Sequence, residues 1–130
     1  MEAKNRAARV LVVDDEENIR EVVAYVLEMK GFIADSARDG KEALEKIARE
    51  KPDIIILDVT MPRMDGFELC RRLRKSCSLR DIPIIFLSAQ RQIDGAAGSI
   101  PGAPIEYIEK PCDFEYLIKK INTLIAEKAP

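Results

Sequence analysis

The segment DIIILDVTMPRMDG, residues 53–66, carries the strongest structural signal in the sequence. Its four consecutive aliphatic residues, 54–57, end abruptly at Asp58, and a polar turn that contains Pro62 follows. A short run that is apolar at every position predicts a strand buried on both faces, since a half-buried strand would alternate apolar and polar residues. We therefore expect Asp58 where a buried central strand emerges into solvent, the edge at which open parallel sheets carry their functional sites.

Composition limits the kinds of protein that this chain can be. A length of 130 residues, with 47% hydrophobic and 34% charged residues, predicts one globular domain. The net charge is −2, and the lysines and arginines are scattered along the sequence and do not form the basic cluster that nucleic-acid binding requires. No apolar run approaches the roughly 20 residues of a membrane span, and the polar start lacks the apolar centre of a signal peptide. We expect a cytoplasmic protein that binds neither nucleic acid nor membrane directly.

The cysteines and the absence of histidine restrict the chemistry further. Cys70, Cys77 and Cys112 form no CxxC pair, so we interpret them as reduced structural cysteines. A chain without histidine lacks the usual zinc ligand and general base, and Ser-His-Asp and Cys-His catalysis are excluded. Any chemistry therefore falls to carboxylates, lysine, hydroxyl groups or a bound metal.

Apolar runs that predict strands alternate with the spacing of buried helix faces along the chain. Strands are predicted at 10–13, 32–36, 54–57, 83–87 and 105–108. Helices are predicted after the first strand up to Gly31, from the cap Asp39 to before Pro52, from the cap Asp65 through about Lys75, and from about Asp113 onward. This alternation predicts βαβ units and a parallel sheet with helices on both faces.

Five such strands fit the doubly wound, flavodoxin-like α/β order 2-1-3-4-5, whose switch point lies between the first and third strands. One segment departs from the alternation: Gly95, Gly98 and Pro101 stand where a fourth helix is due, and their helix propensities predict an irregular or shortened helix over 91–104. We place the domain at 10–127, with a polar N-terminal arm at 1–9 and a C-terminal tail at 128–130.

This strand order brings acids from two strands to one sheet edge. Asp14 and Asp15 follow the first strand, and Asp58 ends the third. Carboxylates this close repel one another by a few kcal/mol per pair unless they bind a proton or a cation, and Mg²⁺ suits such an oxygen site. Ser88 and Lys110 end the fourth and fifth strands at the same edge, where a hydroxyl and an ammonium can hold phosphoryl oxygens. An exposed aspartate can itself accept a phosphoryl group.

Four motifs together resemble the receiver domain of bacterial two-component response regulators: the acidic pair, the run 58–66, Ser88 with its following alanine, and Lys110 with its following proline. The motifs occur in the same order and spacing, and the resemblance covers about residues 9–126. It implies that Asp58 accepts a phosphoryl group from a phosphohistidine on a sensor histidine kinase or a histidine phosphotransfer protein.

The resemblance also implies roles for the neighbouring residues. Asp15, Asp58 and the backbone carbonyl of Thr60 would ligate Mg²⁺, and Asp14 would hold a metal-bound water. Other roles fall to residues on the later strands: Ser88 and Lys110 bind the phosphoryl oxygens, Tyr107 is the aromatic switch, and Thr60 and Gln90 tune dephosphorylation.

Taken singly, these residues have ordinary structural explanations. Asp14 or Asp15 can cap the first helix, and Asp58 can form a turn before Pro62. Ser88 alone reads as a loop hydroxyl, and a single Lys110 or Tyr107 reads as a residue at the end or rim of a strand. Their convergence at one sheet edge favours the phosphoacceptor interpretation.

Two other functions remain open in the sequence. One is a Mg²⁺-dependent phosphatase that forms an aspartyl phosphate, although such enzymes related to haloacid dehalogenases need a second aspartate where this chain has Thr60. The other is a degenerate receiver that serves only as a scaffold. The sequence also leaves open an effector domain or partner protein as the output, and dimerisation through the last helix.

Overall fold

The computed structural model describes residues 7–59, 66–88, 105–110 and 113–128. These residues form five strands and four helices in the order β1 (Arg9–Val13), α1 (Glu17–Met29), β2 (Ile33–Ala37), α2 (Gly40–Arg49), β3 (Ile54–Asp58), α3 (Gly66–Arg74), β4 (Ile84–Ser88), β5 (Ile105–Glu109) and α4 (Phe114–Lys128). The irregular helix expected over 91–104 lies outside the described residues. In the part of the chain that is described, no helix is both long and apolar enough to cross a membrane.

The five strands form one sheet in the order β2-β1-β3-β4-β5, and every neighbouring pair is parallel. This confirms the doubly wound order expected from the sequence. The register pairs Val13 with Leu57, so that Asp14 and Asp58 follow at the same edge of the sheet. It also pairs Asp58 with Leu87, one residue before the end of β4.

Successive side chains of the central strands point into two separate cores. Both cores are buried, because β1, β3 and β4 alternate between two faces that are each covered by helices. One core combines the strands with α2 and α3, through Ala43, Ile47, Leu69, Cys70 and Leu73. The other combines them with α1 and α4, through Val23, Leu27, Leu117, Ile121 and Leu124. This packing fixes the strand ends that carry the acids.

The connection from α1 to β2 shows why one predicted boundary was wrong. Gly31 adopts φ +95° as the helix stop, as expected. Its N–H donates to the Glu28 carbonyl at 3.1 Å, and the Phe32 N–H donates to the Leu27 carbonyl at 3.1 Å. These two bonds form a Schellman motif, in which Phe32 belongs to the C-terminal cap of the helix. The strand therefore begins at Ile33 and not at Phe32.

The start of α2 confirms the predicted capping arrangement. The Asp39 carboxylate accepts a hydrogen bond from the Glu42 N–H at 2.9 Å, and the Glu42 carboxylate accepts one from the Arg38 N–H at 2.8 Å. The N-cap of α1 is different, since Glu16 holds that position without a side-chain bond to the helix. Neither Asp14 nor Asp15 is therefore the N-cap of α1. The cap expected at residue 65 lies outside the described residues.

Candidate functional site

Three aspartates meet where β1 and β3 end. One carboxylate oxygen from each of Asp14, Asp15 and Asp58 lies within 4.8 Å of the others. Asp14 is 1% exposed and Asp58 is 5% exposed, whereas Asp15 is exposed to solvent. The sequence prediction that these acids converge at one sheet edge agrees with this geometry.

The turn between β1 and α1 holds Asp14 through its backbone and its side chain. The Asp14 N–H donates to the Ala37 carbonyl at 3.1 Å, which ties the turn to the end of β2. Its side-chain Oδ1 accepts a hydrogen bond from the Glu16 N–H at 2.9 Å. The Asp14 carbonyl oxygen accepts a hydrogen bond from Nη1 of Arg20 at 2.8 Å. Sequence reasoning missed Arg20, because nothing in its spacing distinguishes it from a solvated arginine.

Lys110 joins the edge strand to the acidic cluster. Its Nζ lies 3.3 Å from Oδ2 of Asp14 and 3.3 Å from Oδ1 of Asp58. Its backbone N–H donates to the Ser88 carbonyl at 2.7 Å, which fixes the base of the side chain against the end of β4. Burial by itself would lower the Lys110 pKa, but the charges and hydrogen bonds of the two carboxylates outweigh burial, and the pKa is raised. The ammonium is therefore held in its charged form beside Asp58.

The three carboxylates fit a hard divalent cation. Mg²⁺ binds oxygen at about 2.1 Å in octahedral geometry, so ligands on opposite sides of the ion are separated by about 4.2 Å. Oxygens that already lie within 4.8 Å of one another reach this spacing with small side-chain movements. Within the described residues the Lys110 ammonium offsets one of the three negative charges, and the remaining negative charge favours cation binding. Thr60, the expected carbonyl ligand, lies outside the described residues.

Ser88 ends β4 next to the cluster. It is 4% exposed, and its register partner on β5 is Glu109, the residue before Lys110. The structure thus brings Ser88, Lys110 and the acids to one edge of the sheet, as the sequence predicted. Gln90, expected to tune dephosphorylation, lies outside the described residues.

Tyr107 lies on β5, and its ring packs on an aromatic neighbour in β4. The ring centroids of Tyr107 and Phe86 are 5.4 Å apart and the planes are inclined by 16°, while Phe67 packs against Phe86 at 4.9 Å. Tyr107 is 38% exposed, and burial of the rest, followed by the charge of Cys70, raises its pKa. Within the described residues Tyr107 makes no hydrogen bond to the acidic cluster. Sequence reasoning did not identify this aromatic row, since its members are far apart in the chain.

Gly66 begins α3 in direct contact with the backbone of Asp58. Its N–H donates to the Val59 carbonyl at 2.9 Å. A Cβ atom at this position would lie closer than 3.0 Å to the Asp58 carbonyl oxygen and 3.2 Å from Cγ of Leu57. The sequence indicated a helix start here but not this close approach, which only a glycine permits.

Comparison with known proteins agrees with this geometry. The family model for the response regulator receiver domain matches residues 10–122. The chain is 38% identical over 122 residues to the response regulator MprA of Mycobacterium leprae, an alignment that covers 94% of this chain and 53% of that protein. The MprA protein of Mycolicibacterium vanbaalenii is 37% identical, with 52% of its length covered. The chain thus spans about half the length of the curated relatives it matches.

Solved structures show the same fold. The Vibrio cholerae chemotaxis protein CheY4 is 33% identical with a TM-score of 0.85, and the match covers 92% of this chain and 99% of that one. The signal receiver domain of a signal transduction histidine kinase from Syntrophus aciditrophicus is also 33% identical, with a TM-score of 0.83 and coverage of 94% and 92%. The family match, the sheet order and the acidic edge lead to one conclusion: the chain belongs to the family of response regulator receiver domains.

Proposed function

We propose that this receiver domain accepts a phosphoryl group on a carboxylate oxygen of Asp58 and that the modification switches its interactions. The donor is the phosphohistidine of a sensor histidine kinase or a histidine phosphotransfer protein. One observation carries the proposal: Asp58 lies at the carboxyl edge of the parallel sheet, close to two further carboxylates and to the Lys110 ammonium. These 130 residues contain no histidine, so the donor histidine lies outside them.

The transfer is a nucleophilic substitution at phosphorus. An oxygen of the Asp58 carboxylate forms the new P–O bond as the P–N bond to the donor imidazole breaks. The electron pair of the broken bond stays on the imidazole nitrogen, which takes up a proton from solvent. Water later cleaves the acyl phosphate, which returns the Asp58 carboxylate and releases inorganic phosphate.

Asp14, Asp15 and Asp58 would hold Mg²⁺, and the backbone carbonyl of Thr60 is the proposed additional protein ligand. When bound, the ion neutralises negative charge on the phosphoryl oxygens. Lys110 contributes a fixed positive charge, since its Nζ already lies 3.3 Å from Oδ1 of Asp58. The ammonium can therefore exchange a carboxylate partner for a phosphoryl oxygen without a large movement.

The proposed response to phosphorylation involves the ends of β4 and β5. Ser88 would donate its hydroxyl to a phosphoryl oxygen, and Tyr107 would turn inward as that hydroxyl moves. Thr60 and Gln90 would set the rate at which water reaches the acyl phosphate. The output is a partner protein or an effector domain, dimerisation through α4 is one route to it, and we place the protein in the cytoplasm.

An acyl-phosphate assay tests the proposal. The protein is incubated with a small acyl phosphate with and without Mg²⁺, and intact mass is followed for the wild type, Asp58→Asn and Asp81→Asn. Asp81 is a matched control, because its carboxylate is 66% exposed and pairs with Lys51. We expect one phosphoryl group on the wild type and on Asp81→Asn, only with Mg²⁺, and none on Asp58→Asn.

The two alternatives give different results in the same assay. Rapid turnover of generic phosphate esters by the wild type would show a Mg²⁺-dependent phosphatase and would contradict the switch. No uptake from any donor would show a degenerate receiver that acts as a scaffold. A slow loss of the single phosphoryl group supports a signalling switch whose own chemistry is limited to autodephosphorylation.

A further inference from the structure

We propose that Arg20 is a positioning residue that orients the Asp14–Asp15 peptide for metal binding. The inference rests on the proposed Mg²⁺ site and goes beyond it, because Arg20 ligates nothing itself. Its Nη1 donates to the carbonyl oxygen of Asp14 at 2.8 Å, and its side chain is partly buried over the turn. This bond connects α1 to the turn that carries two of the three acids.

The bonded carbonyl controls the direction of the next residue. A peptide unit is planar, so the position of the Asp14 carbonyl oxygen also fixes the plane in which the N–H and Cα of Asp15 lie. The other side of Asp14 is already held, since its N–H donates to the Ala37 carbonyl at 3.1 Å. With both sides bonded, the Asp14–Asp15 peptide has little freedom to rotate.

Asp15 depends on this backbone more than the other acids do. The Asp14 carboxylate accepts from the Glu16 N–H and pairs with Lys110, and Asp58 also pairs with Lys110. The Asp15 carboxylate is exposed and makes no hydrogen bond or ion pair within the described parts of the chain. Its place in the acidic cluster is therefore set by the backbone direction that the Arg20 bond maintains.

Arg20 reaches a carbonyl oxygen and not a carboxylate. Its guanidinium therefore does not compete with a cation for the carboxylate oxygens of the cluster. This arrangement matches the general behaviour of residues that hydrogen-bond the surroundings of metal ligands, whose loss typically weakens metal binding about 10–100-fold.

A role in orientation and a role in charge predict opposite results. If Arg20 acted only through its positive charge, its removal would tighten Mg²⁺ binding, because a cation near the cluster repels the ion. If Arg20 orients the peptide, its removal weakens binding although the site becomes more negative. The sign of the change in affinity therefore separates the two.

The test measures Mg²⁺ binding alone by calorimetry, for the wild type, Arg20→Met, Arg20→Lys and Arg49→Met. Arg49 is the matched control, since it is exposed in the last turn of α2 and outside the site. We expect about tenfold weaker binding for Arg20→Met and recovery of most of the affinity in Arg20→Lys, whose ammonium can donate to the same carbonyl. The amide NMR signal of Asp15 in the metal-free protein should shift in Arg20→Met and stay in place in Arg49→Met.

Unfolding in urea without metal separates orientation from general stability. The inference is supported if Arg20→Met and Arg49→Met lose similar stability but differ in their affinity for Mg²⁺. Unchanged or tighter binding by a folded Arg20→Met would overturn it while the proposed metal site stands. If the wild type binds no Mg²⁺, or binds it as well after Asp15→Asn, the proposed site itself is wrong and this inference fails with it.

Discussion

The ammonium of Lys110 lies 3.3 Å from Oδ1 of Asp58, although 52 positions separate the two residues in the chain. This contact ties the edge strand β5 to the centre of the sheet at the proposed phosphorylation site. It also compensates charge on a carboxylate that is only 5% exposed. Removal of Lys110 leaves the Asp14 and Asp58 carboxylates close together without the positive charge that now contacts both.

We therefore expect Lys110→Met to lower the free energy of unfolding in metal-free buffer at pH 8. The loss should be about 2 kcal/mol, the usual value of a hydrogen bond to a charged group. Urea unfolding followed by circular dichroism measures the change. Lys51→Met is the control, because the side chain of Lys51 is 44% exposed and pairs with an exposed acid. Equal losses in the two variants would contradict a special role for Lys110.

The same pair predicts a pH dependence. The Lys110 pKa in the folded protein is raised above the unfolded value of about 10.4. Its stabilisation is then fully present below about pH 10 and is lost as the pH rises through the folded-state pKa. The stability difference between the wild type and Lys110→Met should be constant from pH 7 to 9 and shrink above pH 10. A difference that grows with pH in that range would be incompatible with this pair.

Repulsion among the acids predicts that Asp15→Asn stabilises the metal-free protein. One carboxylate oxygen from each acid lies within 4.8 Å of the others, and in the described part of the chain Lys110 pairs with Asp14 and Asp58 while Asp15 has no partner. We expect an increase of about 1 kcal/mol, smaller in high salt because Asp15 is exposed. The same substitution should abolish most of the stabilisation that Mg²⁺ gives the wild type. Thermal unfolding with and without Mg²⁺ checks both effects, and a lower metal-free stability would count against the repulsion.

The two glycines with structural roles should respond differently to substitution. A Cβ at Gly66 meets the Asp58 carbonyl oxygen below 3.0 Å, whereas a Cβ at Gly31 meets nothing within 4 Å. Gly66→Ala must displace α3 from β3, the strand that ends at Asp58. We expect the free energy of unfolding to fall by about 3 kcal/mol, at the upper end for overpacking. Gly31→Ala carries only backbone strain of about 1 kcal/mol. Urea unfolding measures both losses, and a larger loss of stability in Gly31→Ala than in Gly66→Ala would refute the close approach.

The aromatic row predicts the behaviour of Tyr107 on titration. Phe86 covers one face of the Tyr107 ring at a centroid distance of 5.4 Å. Since burial is the first cause of the raised Tyr107 pKa, Phe86→Leu should lower that pKa towards its ordinary value. NMR titration of the ring signals measures it, with Tyr25, which is 66% exposed and lies on α1, as an internal reference. A Tyr107 pKa that stays the same or rises would show that Phe86 does not shield the ring.

The sequence predicted the site because the relevant signals are local. An all-apolar run that ends in acid marks both a buried strand and its carboxyl end, so Asp14, Asp15 and Asp58 could be placed together once the strand order was inferred. Lys110 and Ser88 followed from the same rule applied to the later strands. Parallel βαβ units constrain topology so strongly that five strand ends are enough to define one edge of the sheet.

Other features depend on contacts that no local pattern encodes. The bond from Arg20 to the Asp14 carbonyl depends on how α1 leaves the turn, and the clash at Gly66 depends on the packing of α3 against β3. The boundary at Phe32 was predicted one residue early, because its apolar side chain suits both a strand and the end of a Schellman motif. The domain bounds at 10 and 127 stay a prediction, although β1 begins at Arg9 and α4 continues through Lys128.

Phosphorylation of Asp58 is tested most directly by locating the phosphoryl group on the chain. The protein is treated with an acyl phosphate and Mg²⁺ and then reduced with borohydride, which converts an aspartyl phosphate to homoserine, and the peptides are sequenced by mass spectrometry. We expect homoserine at position 58 and unmodified aspartate at positions 14 and 15. Homoserine at position 14 or 15, or at no position in a protein that had gained a phosphoryl group, would contradict it.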